Sequence, residues 1–147
     1  MNLTYQSLTK EEAEACMPLA LALWPDEDVE IVRQEMVRAT SSPNDVLLVC
    51  KDGEWLVGFA QVGLRHDYVE GTNSSPVAYL EGIFVLPEYR KQGVARRLLE
   101  EVESWGKAKG CTELGSDAFA DNTLSRDFHK GVGFAEAGRL VAFVKKL

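Results

Sequence analysis

Apolar residues recur along this chain with two periods, and the switches between them mark out its elements. Leu3, Tyr5 and Ser7 suit a short first strand. Thr9 with Glu12 three residues on makes a capping-box pattern, which opens a helix running to about Leu23 with Ala13, Met17, Ala20 and Leu21 inward. Trp24-Pro25 breaks it. A second helix fits Asp28 to Ala39, with Val29, Val32, Met36 and Ala39 on one face. Asp45 to Cys50 and Trp55 to Leu64 predict two strands joined by Lys51-Asp52-Gly53-Glu54, where Asp-Gly is a hairpin signal. Residues 65–76 form a polar loop, long enough inside a compact domain to suggest a functional role. Tyr79 to Val85 is the next strand, stopped by Pro87. A helix opening at Gln92 to Ala95 runs to Lys109-Gly110 with Val94, Leu98, Val102 and Trp105 on one face. A strand at Thr112 to Ala118 follows. Asp121-Asn122-Thr123 then opens a short helix to about Lys130, and Phe134 to Ala137 and Leu140 to Val144 close the sheet. The order β-α-α-β-β-β-α-β-α-β predicts an α/β architecture.

Composition narrows the class. The 147 residues, 46% hydrophobic and without repeats or linkers, predict one globular domain over 1–147. No stretch is apolar enough for a membrane span, and the opening residues lack the apolar core of a signal peptide. The odd, widely spaced Cys16, Cys50 and Cys111 read as reduced buried thiols of a cytoplasmic protein, with no metal-ligand spacing. A net charge of −7 argues against nucleic acid as a partner and suits a cationic small molecule or simple solubility.

One stretch carries the opposite sign. Arg90, Lys91, Arg96 and Arg97 crowd around Gln92-Gly93-Val94-Ala95, where a strand, a turn and a glycine precede a helix. A small residue lets a ligand reach the backbone, and the free first-turn N–H groups at the positive end of the helix make an anion site. Arg90-x-x-Gly93-x-Ala95 in this setting, with Gly133-Phe134 some forty residues on, resembles the pyrophosphate loop of the GCN5-related N-acetyltransferases. The resemblance implies a mixed central sheet with helices on both faces, and acetyl-coenzyme A (acetyl-CoA) bound where two parallel strands splay apart. It implies that N–H groups of Ile83, Phe84 and Val85 hold the thioester and that Lys91 and the loop N–H groups hold the pyrophosphate. Asn122 would bond the pantetheine arm. No metal is expected.

Leu23-Trp24-Pro25-Asp26, Tyr79-Leu80-Glu81-Gly82-Ile83, Glu88 to Gly93 and Ser116-Asp117 are similar to one group within that family, the aminoglycoside 6'-N-acetyltransferases of antibiotic resistance. A polyamine sugar calls for carboxylates on its ammonium groups and aromatic walls against its rings. Glu81 and Asp117 are the candidate carboxylates, each serving as base or only positioning the ammonium group, and Trp24 and Tyr68 are the candidate walls. The family's usual proton donor to the leaving thiolate is a tyrosine four residues before the Gly of Gly-Phe. Here that position is His129, an imidazole able to donate near neutral pH or a structural helix residue. Relatives are commonly dimers, some sharing the last strand, which predicts a homodimer. Rival acceptors are another polyamine, a small amine or a protein lysine; the rival outside enzymes is a non-catalytic acetyl-CoA-binding module.

Overall fold

In the computed structural model, which describes residues 1–147, five strands hydrogen-bond in the order β1-β2-β3-β4-β5. They are β1 (Leu3–Ser7), β2 (Asp45–Asp52), β3 (Trp55–Arg65), β4 (Val77–Val85) and β5 (Leu114–Ser116). The first three pairings are antiparallel and β4–β5 is parallel, so the sheet is mixed. Helices α1 (Met17–Leu23) and α2 (Val29–Ser41) cover one face, and α3 (Val94–Ala108) covers the other. A short α4 (Thr123–Gly131) follows β5.

Because both faces are covered, the middle of the sheet is apolar without alternation. Seven successive residues of β3, Val57 to Gly63, are buried. The period of two still sorts β2 between the layers. Leu47 and Val49 pack with α1 and α2, and Leu48 and Cys50 pack with α3. α3 buries Val94, Leu98, Leu99 and Val102 as one stripe. All three cysteines are free and buried, and burial pushes the Cys16 thiol up to about 12.

Three expectations from the sequence are corrected. The first helix is not continuous from Thr9 to Leu23. Residues Lys10–Cys16 form a 3-10 helix, and α1 begins at Met17. The reason is Pro18, whose ring has no N–H and would clash with the carbonyl of Glu14 inside an α-helix, but which is welcome in a first turn. The capping box of Thr9 and Glu12 is present, with Thr9 N–H donating to Glu12 Oε1 at 3.1 Å.

The strand expected over Thr112 to Ala118 spans only Leu114–Ser116, because β5 pairs with β4 at just three positions before the two part. Phe134 to Ala137 and Leu140 to Val144 are not strands of this sheet. Phe134 N–H instead bonds His129 O at 2.9 Å, and Leu140, Val141, Phe143 and Val144 are exposed. A strand needs a neighbouring edge to satisfy its backbone, and no such edge of the chain receives these residues.

Candidate active site

The site forms where β4 loses its neighbour. β4 and β5 pair at Ala78–Leu114, Tyr79–Gly115 and Leu80–Ser116, and no further. From Glu81 to Val85, β4 remains bonded to β3 on one side only. Residues 81 to 84 are half-buried, whereas Val77 to Leu80 are buried. Ile83 and Val85 therefore turn their N–H groups to an open strand edge where a ligand can bond, whereas Phe84, opposite Phe59, faces β3 and Val85 O already accepts from Arg90.

That edge leads into the loop before α3. Lys91 and Gly93 both have left-handed backbones, with φ of 60° and 84°. Left-handed residues interspersed with extended ones turn successive N–H groups into a common concavity. Gly93 is the N-cap of α3 and brings no side-chain acceptor, so the N–H groups of Val94, Ala95 and Arg96 have no partner within the helix. No protein atom lies within 4 Å of where a Gly93 Cβ would sit. Basic residues in a first helical turn oppose the helix dipole, so Arg96 and Arg97 there make sense beside an anion. The four cations do not all face it, however. Arg97 pairs with Glu101 at 2.5 Å and lies over the Tyr5 ring, and Arg96 donates to Gly131 O at 3.1 Å. Arg90 donates from Nε to Val85 O at 2.8 Å, its guanidinium 5.3 Å from the Phe84 ring centre. Lys91 forms no ion pair. Gln92 spends its amide on Glu88 O at 3.0 Å.

On the opposite side of β4 is a cavity of about 260 Å³ that brings Trp24 and Glu81 together with Glu27, Ile31, Glu35 and Gln61. Trp24 caps the end of α1 and meets Phe59 edge-on, with ring centres 6.0 Å apart. It can lie over β4 only because residue 82 is glycine. A Cβ there would stand 2.6 Å from Trp24 Cζ2. Gln61 is the one buried polar residue of the chain, and its amide donates to Glu35 Oε1 at 2.9 Å. Bonds from Arg38, and then from Gln61, hold the Glu35 carboxyl below the usual carboxylate range, although partial burial pulls the other way. Glu35 is thus charged in the fold at a pH where the unfolded chain has begun to take up its proton. Its contribution to stability is complete above pH 4.5, the ordinary value, and is lost as the pH falls below it. Thermal unfolding followed from pH 7 down to pH 3 is expected to show a shallower fall for Glu35→Gln than for the parent chain.

Asp117 follows β5 and accepts a hydrogen bond from the hydroxyl of Tyr79, whose pKa is raised by burial and then by this carboxylate. The guanidinium of Arg65 lies over the same Tyr79 ring, 3.4 Å from its centre. Arg65 Nη2 also reaches both oxygens of Glu81, at 2.7 and 3.0 Å. The two candidate carboxylates are therefore linked through Arg65 and Tyr79. The sequence reading singled out neither Arg65 nor Tyr79, and it missed Glu35 and Gln61 as well. A charged residue ending β3 and a glutamine inside so apolar a strand were the available signals.

Tyr68 is 74% exposed, and its hydroxyl oxygen accepts from Gly71 N–H at 3.3 Å. It does not line the cavity with Trp24. The loop that carries it is tied down by Glu113, which accepts from Asn73 N–H at 2.8 Å and from the Ser74 hydroxyl. Asn122 caps α4, its Oδ1 accepting from Ser125 N–H at 3.1 Å, which leaves its amide NH2 as a donor. His129 is held at both ring nitrogens: Nδ1 is 2.7 Å from Ser125 O and Nε2 is 2.8 Å from Ser116 Oγ. Ser116 is the last residue of β5 to pair with β4, and its Oγ is also 3.2 Å from Leu80 O. His129 consequently stands at the root of the opening between the two strands. No three His, Cys, Asp or Glu residues are grouped as a metal would require.

This arrangement has close counterparts. Residues 6–134 match the acetyltransferase (GNAT) family. The aminoglycoside N(6')-acetyltransferase type 1 of Acinetobacter baumannii is 41% identical over 142 residues, covering 95% of this chain and 96% of its own length. Aminoglycoside N-acetyltransferase AAC(6')-Iy in complex with CoA superposes with a TM-score of 0.94 at 34% identity, covering 99% of this chain and 96% of that one. A second AAC(6')-Iy structure, in complex with the bisubstrate analog CoA-S-monomethyl-acetylneamine, gives 0.94 and 34% with all of both chains covered. With its parted parallel strands, glycine loop and helix N-terminus in the family's order, the chain belongs to the acetyltransferase (GNAT) family.

Proposed function

We propose that this chain transfers the acetyl group of acetyl-CoA to the 6'-amino group of aminoglycosides, as one acetyltransferase domain over residues 1–147. The observation that carries the reading is the pairing of two unlike sites across β4. An edge and loop suited to a nucleotide thioester lie next to an acidic, tryptophan-walled cavity suited to a polycationic sugar. The likeness to relatives named for this reaction supports it.

Acetyl-CoA, when bound, supplies an acetyl group activated as a thioester. Outward N–H groups of the stretch Ile83 to Val85, with Phe84 itself facing β3, hold the carbonyl oxygen as negative charge grows on it. Lys91 and the N–H groups of Gln92, Gly93, Val94 and Ala95, with Arg90 alongside, hold the pyrophosphate, and the amide of Asn122 donates to the pantetheine arm. Trp24 packs on the sugar, and Tyr68, outside this cavity on its loop, is left to a part of the sugar that projects from it. Glu81 takes the proton from the incoming ammonium, directly or through water, and the freed amine attacks the thioester carbon. The C–S bond breaks as the C–N bond forms, the second amine proton leaves to water, and Asp117 holds a neighbouring amine. His129 returns a proton to the departing thiolate. Its Nε2 can carry that proton when the single Ser116 hydroxyl hydrogen turns to Leu80 O instead. No metal enters these steps.

The test is release of free coenzyme A thiol with kanamycin, tobramycin, spermidine and a lysine peptide as acceptors. Turnover of the aminoglycosides is expected. Turnover of only spermidine or the peptide would discard the substrate and keep the chemistry, and coenzyme binding without turnover would favour a binding module.

The reading extends to a cytoplasmic homodimer. Free, buried thiols suit a reducing compartment. Leu140, Val141, Phe143 and Val144, between 76% and 97% exposed, suit burial against a second copy. Light scattering should give about twice the 16.3 kDa chain mass; a mass near one chain would refute the dimer.

A further inference from the structure

Glu81 is already occupied by a cation of the protein itself. Arg65 meets it through one nitrogen, Nη2, at 2.7 Å from Oε1 and 3.0 Å from Oε2. A guanidinium at its preferred geometry would present two nitrogens to two oxygens. A single nitrogen shared between both oxygens is the placement of an ammonium group instead. A substrate ammonium gripped by Glu81 needs that same point in space, so Arg65 and the substrate exclude each other there.

We propose that Arg65 is a built-in stand-in for the substrate ammonium, which must be displaced from Glu81 by the incoming acceptor. This inference rests on the proposed aminoglycoside reading and deepens it. Two features make the contact exchangeable. The pair is part exposed, at 44% for the Arg65 side chain and 29% for Glu81, so it is weakly held. In the same placement Arg65 also stacks 3.4 Å over the Tyr79 ring, whose own hydroxyl is anchored on Asp117, so losing Glu81 does not leave the guanidinium without a partner.

The exchange costs both kinds of acceptor alike. A monoamine arriving at Glu81 replaces one cation on the carboxylate by another and gains little. An acceptor with several ammonium groups makes the same exchange, and adds contacts to Glu27 and Glu35 in the same cavity. Removing the stand-in should therefore lower KM for both by a similar factor and leave the preference set by the cavity's other carboxylates unchanged.

Steady-state kinetics of the full chain at saturating acetyl-CoA would compare Arg65→Met and Arg65→Lys with the parent, using kanamycin and a methyl 6-amino-6-deoxyglucoside as acceptors. Arg65→Met is expected to lower KM for both acceptors by a similar factor, up to about fivefold, the range open to a part-exposed ion pair. Arg65→Lys, which keeps the cation, should restore the parent's KM for both. An unchanged or higher KM in Arg65→Met, or a tenfold loss of kcat at constant KM, would overturn the proposal and make Arg65 a residue that merely orients Glu81. Thermal unfolding and coenzyme A binding of each variant guard against a misfolded protein. A parent enzyme that binds coenzyme A but turns over neither acceptor would sink the aminoglycoside reading itself, an outcome read before any variant is made.

Discussion

Replacing Glu81 by glutamine is expected to lower kcat with kanamycin by about 10²- to 10⁴-fold, the span usually contributed by a positioned general base. Glutamine keeps the volume and one acceptor oxygen, so the cavity beside Trp24 should retain its shape. It can neither take the amine's proton nor balance the charge of the ammonium group. Arg65 loses its ionic partner at the same time and falls back on the Tyr79 ring. Coenzyme A affinity should not change, because the loop before α3 lies beyond the far end of β4 from this carboxylate. Thiol release at saturating acetyl-CoA measures the loss, and calorimetry with coenzyme A supplies the control. Activity within threefold of the parent would remove Glu81 as the base. A larger loss in Asp117→Asn than in Glu81→Gln would transfer the role to Asp117.

The largest effect on stability is expected from Phe59→Ala. Phe59 is completely buried on β3 beneath α1 and α2, among Leu47, Val49, Met36 and Ala20. Truncating a buried phenylalanine removes its transfer free energy and leaves a void that the neighbours fill only in part, at a cost of about 3–5 kcal/mol. Domains of this size are stable by roughly 5–15 kcal/mol, so the variant should lie near the edge of folding at 37 °C. Urea unfolding at 25 °C measures the shift in midpoint at constant slope. A loss under about 1 kcal/mol would mean that the layer above β3 collapses into the space, contrary to the close packing expected of such a core. The change reaches the site as well. Trp24 rests edge-on against Phe59 and is pressed over Gly82, so the KM for the sugar should rise even where the variant remains folded.

How much of this was readable beforehand depends on the range of the interactions concerned. Elements set by local pattern were legible. The period of two in β1 and β2, the stripe of α3 and the capping box at Thr9 depend on neighbours a few residues away. The anion loop was legible for the same reason, since a helix start, a glycine and a local reversal of charge are all features of one short stretch. Glu81 stood out because a carboxylate in an apolar strand needs a partner, and Trp24 because it ends a helix ahead of proline.

Tertiary structure decided the rest. The pattern of Leu140 to Val144 states a preference for strand, but a strand exists only beside an edge, and the pattern names none. Pro18 split the first helix through a clash with a particular carbonyl, which a hydrophobic count does not register. Arg65 and Glu81 are 16 residues apart, Gln61 and Glu35 are 26 apart, and Tyr79 and Asp117 are 38 apart. Each of these pairs is created by sheet register or by packing of a helix on the sheet. The residue types and the local architecture thus came from the sequence alone: a glycine loop at a helix start, acidic residues and a tryptophan at a helix end. Which carboxylate meets which cation came from the fold, because a side chain's partner is set by long-range packing and not by its position along the chain.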